Sequence, residues 1–377
     1  MFWIHLAVGL VLAVFVMSMS VTGVLLTYER QMLGWARDAA VPDHAGETPM
    51  SIDALAVAAQ AAGAEPGHTL IVPRDRTGIV QVSAGRRQNV YMDPYDGRVI
   101  EEPGHAMEAF FSRVMRIHRW LSFAGGRSET GAAINSAANL GFAILLITGA
   151  FLWWPRRWIW PLVKTQLFAR ASYPSAKARH YNWHHVFGVW FLVPLLVIVL
   201  SGAVFSYPWA NRLVYAAFGE EVPGRSRGPA PGGEDAAEAV VQPPASTLAA
   251  VPLDRLVNLA AQDSRSWNRV SVSLPGPQAE TVQIAVDRGN GVQASKIRTF
   301  TVARDGSSVV EPEAAPASAA SRARRFIRFV HTGEVYGLIG QTLAGLASLA
   351  AALLVYTGAC LGVTRLMRMW RQRSAKA

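Results

Sequence analysis

Cysteine is almost missing from this chain of 377 residues: Cys360 stands alone. No disulfide can form within the chain, and no CxxC, Cys/His cluster or covalent haem-attachment signature exists. Charge is scarce as well. Asp, Glu, Lys and Arg make up 16% of the residues and hydrophobic ones 51%, where a soluble domain carries roughly 25% charge. The scarcity is concentrated in four stretches without a single such residue: Phe2–Tyr28, Gly131–Trp154, Tyr181–Asn211 and Val335–Thr364. Each exceeds the ~20 residues needed to cross a bilayer, so membrane spans are expected at 2–28, 131–154, 183–208 and 335–364. The first lacks a basic leader and a small-residue cleavage site, and its apolar run is too long for a signal peptide, so it is expected to remain as a span.

Acids are missing from two further segments. The link 155–182 carries Arg156, Arg157, Lys164, Arg170, Lys177 and Arg179, and the tail 365–377 carries Arg365, Arg368, Arg371, Arg373 and Lys376. Short basic segments stay in the cytoplasm while long ones cross. Both termini are then expected inside, and the segments 29–130 and 209–334 outside. The Trp cluster at 153, 154, 158 and 160 fits an interfacial belt. The net charge of +10 thus reads as a topology signal, which excludes nucleic acid as the partner and leaves the lipid bilayer. Link and tail also fall short of the ~50 residues of a small domain, and no Gly-rich nucleotide fingerprint follows a strand. A flavin or nicotinamide site within the chain is excluded on that ground.

What is present is a pattern written twice. HLAVGLVLAVFVMSMSVTG from His5 returns as HHVFGVWFLVPLLVIVLSG from His184. His5, Gly9, Thr22 and Gly23 recur 179 residues later as His184, Gly188, Ser201 and Gly202. The outside segments repeat too. MSIDALAVAAQ and VPLDRLVNLAAQ read as amphipathic helices, with Ser51 as a cap for the first. Alternating strands follow each, closing at turns Asp96-Gly97 and Asp305-Gly306. Residues 224–246 and 314–321 read as linkers. The expected fold is a mainly α membrane protein with four transmembrane helices and two small α+β domains, built by internal duplication.

A second histidine precedes each even-numbered span. His118 shares the apolar face of AMEAFFSRVMRIHRWL, and His331 follows Phe326, Phe329 and Val330. In the spans that follow, Gly131, Thr148 and Gly149 recur 209 residues later as Gly340, Thr357 and Gly358. His5 and Thr22 are 17 residues apart, about 26 Å along a helix rising ~1.5 Å per residue. One histidine pair is therefore expected at each membrane surface: His5 with His184 inside, His118 with His331 outside.

Ionisable groups at a span mouth are costly and usually functional. Two matched pairs suit two non-covalent b-type haems, each held by two axial imidazoles with no open position. Gly9, Gly23, Gly141, Gly188 and Gly202 would let a flat macrocycle approach the helices. Arg116 and Arg328, within the clusters 113–119 and 322–328, are candidate partners for haem carboxylates. His185 is an alternative inner ligand and His180 competes as well, whereas His44, His68 and His105 read as surface residues.

Taken together, the HxxxG…TG first span, the DPYDG turn, IHRWL before the second span, WWPRR after it and FVHTGEVYGLIGQ before the fourth resemble the PepSY-associated transmembrane proteins. These are often described as iron-regulated inner-membrane proteins, and the likeness extends to their FoxB-type ferric-siderophore reductases. The resemblance implies PepSY-like periplasmic domains, a bacterial inner-membrane location, and histidine haem ligands at His5, His118, His184 and His331. It also implies electron transfer outward to a periplasmic ferric siderophore, with a hydroxamate type expected. The electron donor would be a quinol or a separate cytoplasmic reductase. Three other readings remain: a haem-free PepSY sensor or protease-regulating module, a siderophore permease, and a quinol oxidase-type cytochrome, against which paired histidines argue because it needs an open iron site.

Overall fold

Apolar runs too long for a soluble core, alternating with segments of period-two patterning, produce helices and strands in separate blocks. The computed structural model describes residues 1–85, 89–223, 251–262, 266–312 and 317–374. In chain order these form α1 (Phe2–Leu26), α2 (Glu29–Asp38), α3 (Ile52–Ala61), then strands β1 (Thr69–Pro73), β2 (Val80–Ser83), β3 (Asn89–Met92) and β4 (Val99–Ile100). Next come α4 (His105–Trp120), α5 (Glu129–Trp153), α6 (Trp160–Leu167), α7 (Ala176–Trp190), α8 (Leu192–Ser206) and α9 (Pro208–Ala216). The chain continues through α10 (Leu253–Ala261), β5 (Arg269–Ser273), β6 (Thr281–Asp287), β7 (Ile297–Ala303), β8 (Val309–Val310), α11 (Ala319–Thr332) and α12 (Gly337–Ser374). Two compact units result, a helical one and an α+β one.

In the α+β unit all the strands join one antiparallel sheet, in the order β4-β3-β2-β1-β5-β6-β7-β8. The join is β1 against β5, with Leu70 opposite Val272 and Val72 opposite Val270. Alternation buries those four side chains on one face, where they share a single core with Ile52 and Leu55 of α3 and Leu256 and Val257 of α10. The expectation of two small α+β domains is corrected accordingly, since both halves share one sheet and one core. An edge strand presents unpaired N–H and C=O groups, and the edges of the two halves satisfy one another.

The helical starts are capped as the sequence suggested, with one addition. Ser51 Oγ accepts the Ala54 N–H at 3.1 Å. Asp53 Oδ1 accepts the Leu253 N–H at 2.9 Å, and Asp254 Oδ2 accepts the Ile52 N–H at 2.7 Å. The two halves thus cap one another's helices.

In the helical unit α1 packs against α12 and α5, α12 against α7, and α5 against α8. Val16, Phe142, Leu146, Leu195, Val199, Ala347, Ala351 and Leu354 form its buried core. Val11, Val14, Leu200 and Leu349 stay exposed, as a lipid-facing surface requires. Among the described residues three helices are long and apolar enough to span a membrane, or four if α7 and α8, bent by 65° at their junction, count as one span. The continuous third span expected over 183–208 is corrected here. Pro194 has no N–H to give the Trp190 carbonyl, and its ring crowds that carbonyl. The fourth span runs on through most of the basic tail to Ser374. The linker read at 224–246 lies outside the described residues. Of that read at 314–321, residues 314–316 lie outside them too, while Ser318 caps α11 and Ala319–Ser321 belong to the helix.

Candidate functional site

Each hydroxyl–glycine pair of the spans meets one histidine from another helix. His5 of α1 stands with Nδ1 at 2.9 Å from Thr148 Oγ1 of α5. His118 of α4 reaches Thr22 Oγ1 of α1 at 2.9 Å. His184 of α7 reaches Thr357 Oγ1 of α12 at 3.0 Å, and His331 of α11 reaches Ser201 Oγ of α8 at 3.0 Å. The same ring nitrogen is used every time.

The direction of these bonds follows from the hydroxyls. Each hydroxyl has one proton, and each donates it to the carbonyl four residues earlier in its own helix. The distances are 2.6 Å for Thr22 to Ser18, 2.7 Å for Thr148 to Ile144, 2.6 Å for Ser201 to Val197 and 2.8 Å for Thr357 to Leu353. The hydroxyl oxygen can then only accept, so Nδ1 is the protonated nitrogen. Backbone carbonyls three residues before each hydroxyl, at Leu145, Met19, Leu354 and Ile198, also lie in hydrogen-bond reach of the rings. A carbonyl accepts and never donates, which gives the same tautomer. Nε2 is left with a bare lone pair in all four rings.

The glycine after each hydroxyl makes room for the ring. A Cβ would stand 3.3 Å from His5 Cε1 at Gly149, 3.7 Å from His118 Cε1 at Gly23, 3.4 Å from His331 Cε1 at Gly202 and 3.1 Å from His184 Cε1 at Gly358. Three other span glycines serve helix packing: Gly9 meets Leu145, Gly188 meets Leu354, and a Cβ at Gly141 would collide with Leu12 Cδ1. The expectation that this glycine set opens a slot for a flat ligand is corrected to that extent, since Gly9, Gly141 and Gly188 pack helices and Gly23 and Gly202 receive imidazoles.

His5 and His184 face one another, with ring centres 6.2 Å apart and planes crossing at 87°. His118 and His331 stand close enough for a charge on one to repel a charge on the other. His185 points elsewhere: its Nδ1–H donates to the Tyr181 carbonyl at 2.8 Å, and its ring centre is 6.4 Å from that of His184. His180 packs edge-on against Tyr356 at 5.5 Å. Arg116 donates through Nη1 to Ser112 at 2.8 Å, and its Nε is buried without a partner among the described residues. Arg328 is exposed and lies over the Phe329 ring at 5.8 Å.

The histidine-bearing pattern covers nearly the whole chain, and so does one family model: that of the PepSY-associated TM region matches residues 2–365. The chain belongs to the PepSY-associated TM family. No curated protein matches it. With its apolar helices, membership makes this a membrane protein. Among the described residues of this PepSY-associated chain no three or more His, Cys, Asp or Glu gather into a metal-binding group.

Two contributions escaped the sequence reading. Thr22, Thr148, Ser201 and Thr357 served only as markers of the repeat; their recurrence beside glycine was the available signal. Asn135 was not singled out, although its Nδ2 donates to the Ile117 and His118 carbonyls at 3.3 and 2.9 Å and ties down the end of α4. In the α+β unit, His44 corrects the expectation of a bare surface residue. Its Nε2 bonds Asp93 Oδ2 at 2.9 Å, its Nδ1 bonds Glu47 Oε2 at 3.1 Å, and it stacks on Tyr95. The Asp93 hydrogen bond is the main cause holding its pKa above the ordinary 6.5, against a smaller desolvation effect.

Proposed function

We propose that this protein is an electron-transfer protein of the bacterial inner membrane that holds two b-type haems and reduces ferric siderophores outside the cell membrane. The observation that carries the reading is the set of four imidazoles, each bonded through Nδ1 to a hydroxyl so that Nε2 is free, with His5 facing His184 and His118 near His331. Two imidazoles joined through Nε2 to one metal by bonds of about 2.0 Å, with ring centres about 1.2 Å behind the nitrogens, stand roughly 6.3 Å apart. The 6.2 Å between His5 and His184 fits that requirement. The buried, unpartnered Nε of Arg116 fits a carboxylate of the second group.

Bound haem iron would supply a reversible one-electron change at each end of the bundle. The chain's own residues do the rest. His5 and His184 would hold one haem at the cytoplasmic level, and His118 with His331 would hold the other at the periplasmic level. The orientation, with both termini inside, rests on the basic link and tail. Helix packing excludes water between the pairs, and the 17 residues from His5 to Thr22 separate them by about 26 Å. With no Gly-rich nucleotide fingerprint in its sequence, the chain would draw electrons from a quinol or a separate reductase. The α+β unit is the docking candidate for a ferric hydroxamate, and with two histidines holding each haem the siderophore iron would not be ligated by it.

The experiment is direct. Detergent-purified protein from haem-sufficient cells should show a six-coordinate low-spin spectrum with two haems per chain. The reduced form, mixed anaerobically with a ferric hydroxamate and a ferrous trap, should reoxidise and yield the trapped ferrous complex. A colourless protein would overturn the reading in favour of a haem-free sensor. The 65° break at Pro194 is the one feature a permease would use, and reoxidation no faster than in buffer would favour that alternative.

A further inference from the structure

We propose that Thr22, Thr148, Ser201 and Thr357 are positioning residues that fix the tautomer of the four axial histidines and tune the electron affinity of whatever metal those rings hold. The inference rests on the haem reading for its second half only. Its first half concerns the protein's own atoms.

The argument begins with the count of protons. A free neutral imidazole is protonated at either nitrogen, and only the form with a bare Nε2 can ligate through Nε2. Each hydroxyl here spends its proton on a carbonyl of its own helix, at 2.6 to 2.8 Å. A hydroxyl that already donates is a better acceptor, because the two bonds polarise one another. It therefore holds Nδ1–H at 2.9 to 3.0 Å in every pair. Accepting that proton's hydrogen bond makes the ring a stronger donor at Nε2, the role that outer partners of metal-bound histidines play elsewhere. Stronger donation stabilises the oxidised metal and lowers its potential. The i−3 carbonyl close to each ring is a second acceptor for the same Nδ1–H, so hydroxyl and carbonyl fix the tautomer together and loss of the hydroxyl weakens the bond to that proton. Chain topology suits the role, since each hydroxyl lies on a different helix from its histidine. Each bond thus also fixes how one helix sits on another.

The test uses the full-length chain in detergent with Thr357→Val and Thr357→Ser. Valine keeps the shape and removes the acceptor; serine keeps the acceptor. Histidine-selective 15N NMR on protein prepared without haem reads the tautomers directly. The wild type should show protonated Nδ1 and bare Nε2 for these four histidines, as well as for His185 on its Tyr181 carbonyl, and Thr357→Val should perturb one of the four. Redox titration of the haem-loaded protein should show the potential of one centre rising in Thr357→Val, the other centre unmoved, and the wild-type value restored in Thr357→Ser. A bare Nδ1 in the wild type, an unchanged potential in the valine variant, or a serine variant that behaves like valine would each overturn the assignment. Failure of the protein to take up any haem would sink the functional reading instead, while the NMR result still decides the tautomer.

Discussion

The imidazole planes of His5 and His184 cross at 87°, with their centres 6.2 Å apart. Each ring is held in that attitude by a hydroxyl from a helix other than its own, Thr148 for His5 and Thr357 for His184. Crossed axial planes leave the π-type d orbitals of a low-spin ferric iron close in energy, while parallel planes split them. The oxidised inner centre is therefore expected to give a single strongly shifted feature in its electron paramagnetic resonance spectrum, and His118→Ala should leave that feature intact. A rhombic signal from the inner centre would show that the rings turn on loading.

Substitution of the ligands separates His184 from its neighbour. His184→Ala should lower the haem content to about half, because a site built around two axial ligands is weakened by losing one. His185→Ala should keep both haems, since its Nδ1–H is bonded to its own helix at Tyr181 and no hydroxyl–glycine pair receives it. Pyridine haemochrome quantification on both variants decides the matter. Loss of haem in His185→Ala alone would reassign the ligand.

Protonation of His44 should stabilise the α+β unit. The hydrogen bond to Asp93 and, after it, the one to Glu47 raise its folded pKa above 6.5. A raised folded value means that the protonated form is favoured by folding, so the stabilisation is complete below the unfolded pKa of about 6.5. It is lost as pH rises through the folded value. The Tm difference between the protein and His44→Gln should therefore shrink as pH increases across that window. A difference that grows with pH would contradict the arrangement.

Loss of the reciprocal caps should be felt in both halves of the sheet. Asp53→Ala removes the acceptor of the Leu253 N–H and is expected to cost about 1 kcal/mol, a usual value for an N-terminal cap. Asp254→Ala should cost more, because Asp254 accepts the Ile52 N–H and also pairs with Arg76. Denaturant melts of the two single variants and the double variant test this, with a double cost equal to that of one variant arguing that the caps act only together.

Local chemistry made much of this legible in advance. Charge-free runs announce spans because unpaired polar groups are costly in bilayer hydrocarbon, whereas the break before Pro194, which has no N–H, was not read and the third span was expected to be continuous. The histidines at the span mouths and the hydroxyl–glycine pairs stood out by repetition alone. The short helices α2, α6 and α9 went unread, being too brief for a periodic signal to emerge.

What the sequence by itself determined is the set of spans, the strand and helix periods, and the levels at which histidines occur, because each depends on neighbours within a turn or two. Only the tertiary structure decided which groups meet. The four histidine–hydroxyl bonds join residues 96 to 173 positions apart, and no local pattern encodes such a pairing. The merger of two α+β halves through β1 and β5 is likewise a matter of backbone hydrogen bonds at strand edges. Backbone N–H and C=O groups are the same in every strand, so composition is silent about which edge they will find, and the register is set by the burial of Leu70, Val72, Val270 and Val272 in one shared core.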